Sequence, residues 1–190
     1  MAQTEMRSPI ESGCPDGFQY MHPLMRKNYG QWKYHEHPRP GVLLHVSNNN
    51  DQIWTVRAGT QRILDLFTLR KLCEIGDQFA EGYVRFTIRS NIEYMVQDES
   101  KVEPLIKALE DEGFVVGGTQ NSVAMISHPQ GWLHCDIPGT DASGVVKSMM
   151  DELIDEFRNA DMPNRVNNST SCWQINCGGL GDIAINVQHT

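Results

Sequence analysis

Apolar and polar positions alternate over residues 41–46 and again over 52–57, the period-two signature of strands, and SNNND (47–51) between them holds residues suited to a tight turn. Leu69, Leu72, Cys73, Gly76, Phe79 and Ala80 then recur at helical spacing. That predicts an amphipathic helix over 68–80, with the Cys73 thiol on the apolar stripe and packed in the core. Residues 83–88 and 92–96 read as two strands joined near Ser90 and Asn91. A helix over 101–112 follows, with Pro104 in its first turn and Val102, Leu105, Ile106 and Leu109 on one face. Gly113 ends it, and 114–116 resumes a strand.

From residue 52 the order is strand, helix, strand, strand, helix, strand. This is the split βαβ, ferredoxin-like pattern of an α+β fold, an antiparallel sheet with helices on one face. Such a fold carries no particular chemistry. A second unit follows. Val145, Val146, Met149, Met150, Leu153, Ile154 and Phe157 form the buried stripe of a helix over 142–160, with Asp141 or Ser143 as N-cap. Met162-Pro163 breaks it, and 182–187 alternates like a strand that has no visible neighbour. Ahead of everything, residues 1–40 hold Pro9, Pro15, Pro23, Pro38 and Pro40 with aromatics between them. They read as an extended arm packed by anchors, neither helix nor strand.

Composition narrows the function classes. Of 190 residues, 39% are hydrophobic and 21% charged, the balance of a globular chain. The net charge of −8 argues against a broad nucleic-acid or anionic-membrane surface but leaves room for a few arginines around a small anion. Membrane insertion is not expected, because no apolar run reaches the roughly 18 residues that a span needs. The first residues lack an apolar signal core, so a cytoplasmic location is the expectation. Five cysteines, an odd number, argue against a disulfide framework.

Two constellations could carry chemistry. In GYVRFTIRSN (82–91), Arg85, Thr87 and Arg89 occupy alternate positions, which a strand places on one face, with Asn91 just beyond. Arg57, in TVRAGTQR, ends the preceding strand and could join them. Such a cluster suits carboxylates or an oxyanion, because guanidinium binds them bidentately and stays charged. The plainer reading is a solvated strand face with Glu81 and Glu93 as counter-ions. The second constellation is sulfur. Cys172 and Cys177 lie between polar, turn-forming NNSTS and GGLGD, and Cys135 sits in GWLHCDIPG before a Pro-Gly turn. Three loop thiols could supply most of an iron–sulfur site, since loops let backbone N–H groups approach sulfur; scattered structural thiols are the alternative. In HEHPRP (35–40), His35 and His37 could start a metal site or form a solvated, proline-rich turn.

Together, KNYGQWKYHEHPRPGV, TVRAGTQR, GYVRFTIRSN, GWLHCDIPGTDASG and SCWQINCGG closely resemble the N-terminal part of the dissimilatory-type sulfite reductase beta subunit. The arginine strand is similar to the sulfite and nitrite reductase signature Arg-x-Thr-x-Arg-x-Asn. CWQINCGG and the ending DIAINVQHT look like the form of sulfur-oxidising organisms, which run the reaction toward sulfite. The resemblance implies an arm over 1–40, a ferredoxin-like half-domain over 41–118 and, over 119–190, part of a siroheme-binding α/β domain truncated before a ferredoxin insertion. It implies siroheme coupled to a [4Fe–4S] cluster and a six-electron interconversion of sulfite and sulfide-level sulfur. Expected partners are an alpha subunit, in an alpha2beta2 assembly, and a small sulfur-transfer or electron-donor protein. By motif position Arg57 would face substrate or siroheme, and Arg85, Thr87, Arg89 and Asn91 would hold the macrocycle. Cys135, Cys172 and Cys177 would be cluster ligands, with the Cys177 sulfur also bridging to the siroheme iron.

The sequence departs from the family pattern at Trp173, where a cysteine is expected directly after Cys172 and indole cannot ligate iron. It also ends where the family continues. A catalytically incomplete, structural or assembly subunit pairing with the alpha chain is therefore the second reading.

Overall fold

The structure is a computed structural model and describes residues 17–128, 132, 141–159, 161–171 and 182–188. A turn of 3-10 helix, Gly17–Tyr20, and the short helix α1, Pro23–Lys27, precede five strands: β1 (Trp32–Arg39), β2 (Val42–Ser47), β3 (Gln52–Gly59), β4 (Val84–Phe86) and β5 (Asn91–Val96). Between β3 and β4 runs α2 (Leu66–Phe79), and α3 (Val102–Asp111) follows β5. The sheet order is β1-β2-β3-β5-β4, with every neighbour antiparallel. An antiparallel bridge from Val116 to Ala58 is what the strand expected over 114–116 contributes. The α+β, ferredoxin-like reading thus stands, with β1 and β2 extending the sheet.

Alternation decides which face is dry. Val42, Val56, Ala58, Ile92, Tyr94 and Val96 point to one side and meet Leu72, Ile75, Val102, Leu105 and Leu109 of the two helices. Asp65 sets the start of α2 by accepting from the Thr68 N–H at 2.8 Å. Within this core the Tyr94 hydroxyl donates to the Leu72 carbonyl at 2.9 Å. Burial, with the Cys73 thiol adding to it, pushes the phenol above its ordinary range. Tyr94→Phe is expected to cost about 1 kcal/mol, the net worth of one buried hydrogen bond, measured as a lower urea midpoint at unchanged slope.

Several expectations are corrected. Cys73 is exposed, not core. The buried stripe is centred on Leu72, Ile75 and Gly76, and the residue after Leu72 is turned about 100° round the helix. Residues 32–39, expected as part of an extended arm that is neither helix nor strand, form an edge strand. Its proline is tolerated because among the described residues no strand pairs beyond that edge, and the register shifts between Glu36 and Arg39, around Pro38. The helix expected over 142–160 is two pieces, α4 (Ala142–Glu152) and α5 (Ile154–Arg158). Leu153 leaves helical geometry at φ −101° and ψ 17°, and the re-aimed piece seats Phe157 against Gly59, Gly117 and Gly118. The strand β7 (Asp182–Gln188) does have a neighbour, β6 (Arg165–Ser171), which takes in the whole of NNSTS, read as turn-forming. Among the described residues no helix is long and apolar enough to cross a membrane.

Candidate functional site

The face of the sheet turned away from α2 and α3 carries the polar residues. The register places Arg57 of β3 directly opposite Glu93 of β5, and Glu93 directly opposite Arg85 of β4. Three adjacent strands therefore bring two guanidiniums to one carboxylate. Arg57 Nε donates to Glu93 Oε1 at 2.6 Å, and its Nη2 pairs with the same oxygen. Arg85 donates from both Nε and Nη2 to Glu93 Oε2, at 2.5 Å each. Arg57 Nη1 also donates to the Gly118 carbonyl at 2.9 Å. Exposure grades across the cluster: Glu93 is 1% exposed, Arg57 15% and Arg85 55%.

The electrostatics follow from that gradient. Burial alone would raise the Glu93 carboxyl, but the Arg57 and Arg85 guanidiniums outweigh it and hold the group below the ordinary carboxylate range. Two cations against one anion leave a net positive charge, presented mainly through the half-open Arg85. N–H groups on Arg57 Nη1 and Nη2 remain for a further acceptor. The arrangement can bind an anion bidentately at little cost in side-chain ordering, because Glu93 already holds the guanidiniums.

The other arginine-strand residues are placed differently from the expectation. β4 stops at Phe86, so Arg85, Thr87 and Arg89 do not share a strand face. Residues 87–90 are a turn. Thr87 Oγ1 accepts from the Asn91 N–H at 3.1 Å, and Ser90 takes a φ of 56°. Ser90 is tied to the end of β3, where Thr60 Oγ1 donates to its carbonyl at 2.7 Å. Arg89 is half-buried and makes no hydrogen bond or ion pair among the described residues. Asn91 is 2% exposed, and its Oδ1 has no partner among the described residues. A cavity of about 350 Å³ opens beside this turn, lined in part by Thr60, Arg62, Phe86, Thr87 and Ser90. The donor chemistry fits a carboxylate-rich group, because a net cationic pair and a further arginine lie within one corner of the sheet; the Asn91 Oδ1 is an acceptor and calls for a donor instead.

Sequence reasoning named Glu93 only as a solvated counter-ion and missed Gly118. A charged residue inside the otherwise apolar NIEYMV was the available signal for Glu93. Glu81, the other expected counter-ion, pairs with the buried His22 at 2.8 Å. Cys14, Cys135, Cys172, Trp173 and Cys177 lie outside the described residues. Among the described residues no three His, Cys, Asp or Glu side chains converge as a metal site, and His35 meets His45.

Residues 45–112 match the model of the nitrite/sulfite reductase ferredoxin-like half domain. The chain is 44% identical over 174 residues to the dissimilatory-type sulfite reductase subunit beta of Archaeoglobus fulgidus, which covers 87% of this chain and 48% of that protein. It is 41% identical over 176 residues to the corresponding subunit of Nitratidesulfovibrio vulgaris, covering 88% and 46%. With the subunit of Megalodesulfovibrio gigas it shares 41% over 169 residues, covering 85% and 64%. The chain thus spans about half the length of the first two relatives and under two thirds of the third. Two solved structures share the fold: dissimilatory sulfite reductase I, at TM-score 0.67 and 13% identity over 75% of this chain and 36% of that one, and the NirA protein of Mycobacterium tuberculosis, at 0.56 and 16% over 83% and 30%.

Proposed function

This chain is similar to dissimilatory-type sulfite reductase beta subunits along most of its length, and from that premise we propose that it serves as the N-terminal part of such a subunit, working with an alpha chain. The observation that carries the reading is the Arg57–Glu93–Arg85 cluster, a pre-ordered cationic site that includes Arg85, the first residue of the arginine signature. Siroheme coupled to a [4Fe–4S] cluster would supply the electrons for interconverting sulfite and sulfide-level sulfur. The chain's own residues bind and orient. Arg85 and Arg89 take carboxylates of the macrocycle, Thr87 shapes the turn between them, and Asn91 offers its amide. Arg57, fixed by Glu93 and Gly118, turns its remaining N–H groups toward the substrate anion. Cys135, Cys172 and Cys177 are the proposed ligands that would hold the cluster. A small electron-donor or sulfur-transfer protein completes the system, and the oxidative direction is the one we favour.

The test is anaerobic co-purification with an alpha subunit, followed by an absorption spectrum and assays of iron and acid-labile sulfide. The wild-type complex is expected to carry siroheme. The pair Arg85→Ala and Arg89→Ala together should cut siroheme content by more than half while the subunits still co-elute. Unchanged siroheme in that double variant would remove the macrocycle role. A stable wild-type complex without siroheme or iron would favour the structural, assembly-subunit reading instead.

A further inference from the structure

The cationic cluster is one half of a polar band that crosses the whole sheet on its helix-free face. The other half lies on β1, β2 and β3. His35 of β1 is opposite His45 of β2, and their Nδ1 atoms are 2.7 Å apart. His45 Nε2 lies 2.9 Å from Thr55 Oγ1 on β3. Thr55 and Arg57 are two apart on β3, so they share a face. Exposure falls along this line, from the exposed His35 at the sheet edge to Thr55 at 3%. The Arg57–Glu93–Arg85 chemistry uses none of these three side chains.

We infer that His35, His45 and Thr55 form a proton relay from solvent at the β1 edge to the anion-binding arginines. The inference rests on the sulfite–sulfide reading of the site: reduction of the oxyanion removes oxygen as water and takes up protons, and in the oxidative direction the same transfers run in reverse and carry protons out. The transfer balances on one proton. A solvent proton adds to His35 Nε2, and the His35 Nδ1 proton passes to His45 Nδ1. The His45 Nε2 proton then passes to Thr55 Oγ1, and the Thr55 hydroxyl proton moves on toward the anion at Arg57. One proton enters and one leaves, and both rings end neutral in the opposite tautomer. A relay ring must not trap the proton. Burial, with His35, Arg85 and His37 adding to it and Glu93 opposing, holds His45 down to about 4, so the ring passes protons at neutral pH without storing them. These are the charged and titratable groups that act on it from β1, β4 and β5.

The first readout is independent of turnover. In the full chain, the His45 ring N–H exchange rate is measured by nitrogen-15 NMR. The ring is half-buried; its N–H is expected to exchange quickly with solvent, and His35→Phe should slow that exchange by about 10-fold or more. In the siroheme-loaded complex, Thr55→Val should lower sulfite turnover about 10-fold and change the solvent isotope effect, with sulfite affinity unchanged, while Thr55→Ser should restore both. Equal His45 exchange in wild type and His35→Phe would overturn the relay. So would equal turnover in Thr55→Val and Thr55→Ser. A wild-type complex that loads siroheme yet never turns over sulfite would overturn the functional reading instead, and the exchange result would still decide whether protons move along this line.

Discussion

Replacing Glu93 by Gln is expected to lower stability by about 3 kcal/mol, near the low end of what removing one partner of a buried ion pair costs. The variant keeps the shape and removes the charge. Arg57, largely buried, is left with neutral acceptors, the Gly118 carbonyl and at most the new amide oxygen, and two like charges then face each other across that amide. Arg85 contributes little to this cost, because at 55% exposure water can solvate it. The measurement is a urea midpoint at unchanged slope. A second observable carries the sign. The folded-state carboxyl lies below its ordinary value, so its contribution is present above the unfolded-state value, about 4.5, and is lost as pH falls through the folded-state value. Wild-type stability should therefore drop on acidification below about pH 4.5, and Glu93→Gln should lose that part of the drop. A variant within about 1 kcal/mol of wild type would mean that the arginines have another counter-ion.

The same residue shows where sequence reasoning reached and where it stopped. Alternation and helical spacing located both helices of the half-domain and the strands around them, because those elements bury one face against one core. The arginine pattern predicted a shared strand face that Arg85, Thr87 and Arg89 do not form. Spacing of two predicts a shared face only while the chain stays extended, and the Thr87 hydroxyl instead closes a turn against the Asn91 N–H. The ion cluster that does form joins residues 57, 85 and 93 through strand register, a long-range fact that no local pattern encodes. Likewise β1 looked like part of an arm because the prolines of residues 1–40 were weighed without its neighbour, and β6 looked like a loop because Asn, Ser and Thr say nothing of the seven residue pairs that β7 offers. The resemblance to the beta subunits came from whole motifs, which preserve such long-range facts without revealing them.

Gly117→Ala is expected to be as damaging as losing Glu93, for a different reason. A Cβ at Gly117 would overlap the Phe157 carbonyl oxygen and stand 2.9 Å from its carbonyl carbon and ring. Backbone cannot give way as a flexible side chain can, so Phe157, fully buried, must move out of its seat. That seat is also a junction. Gly117 donates its N–H to the Arg57 carbonyl at 3.1 Å, Gly118 donates to the Phe157 carbonyl at 2.9 Å, and the Gly118 carbonyl accepts from Arg57. Displacing Phe157 therefore pulls on the strand and the guanidinium of the anion site together. The expected cost is about 3 kcal/mol, read as a urea midpoint, with weaker retention of siroheme in the alpha-subunit complex. Gly113→Ala separates close approach from simple backbone preference. Gly113 has a φ of 84°, and nothing lies within 4 Å of where an added methyl would sit. Its alanine variant should lose only about 1 kcal/mol and leave siroheme in place. If the two variants lose the same stability, Gly117 is not held by contact with Phe157; if they differ as expected, the second unit acts on the arginines through two glycines and one aromatic ring.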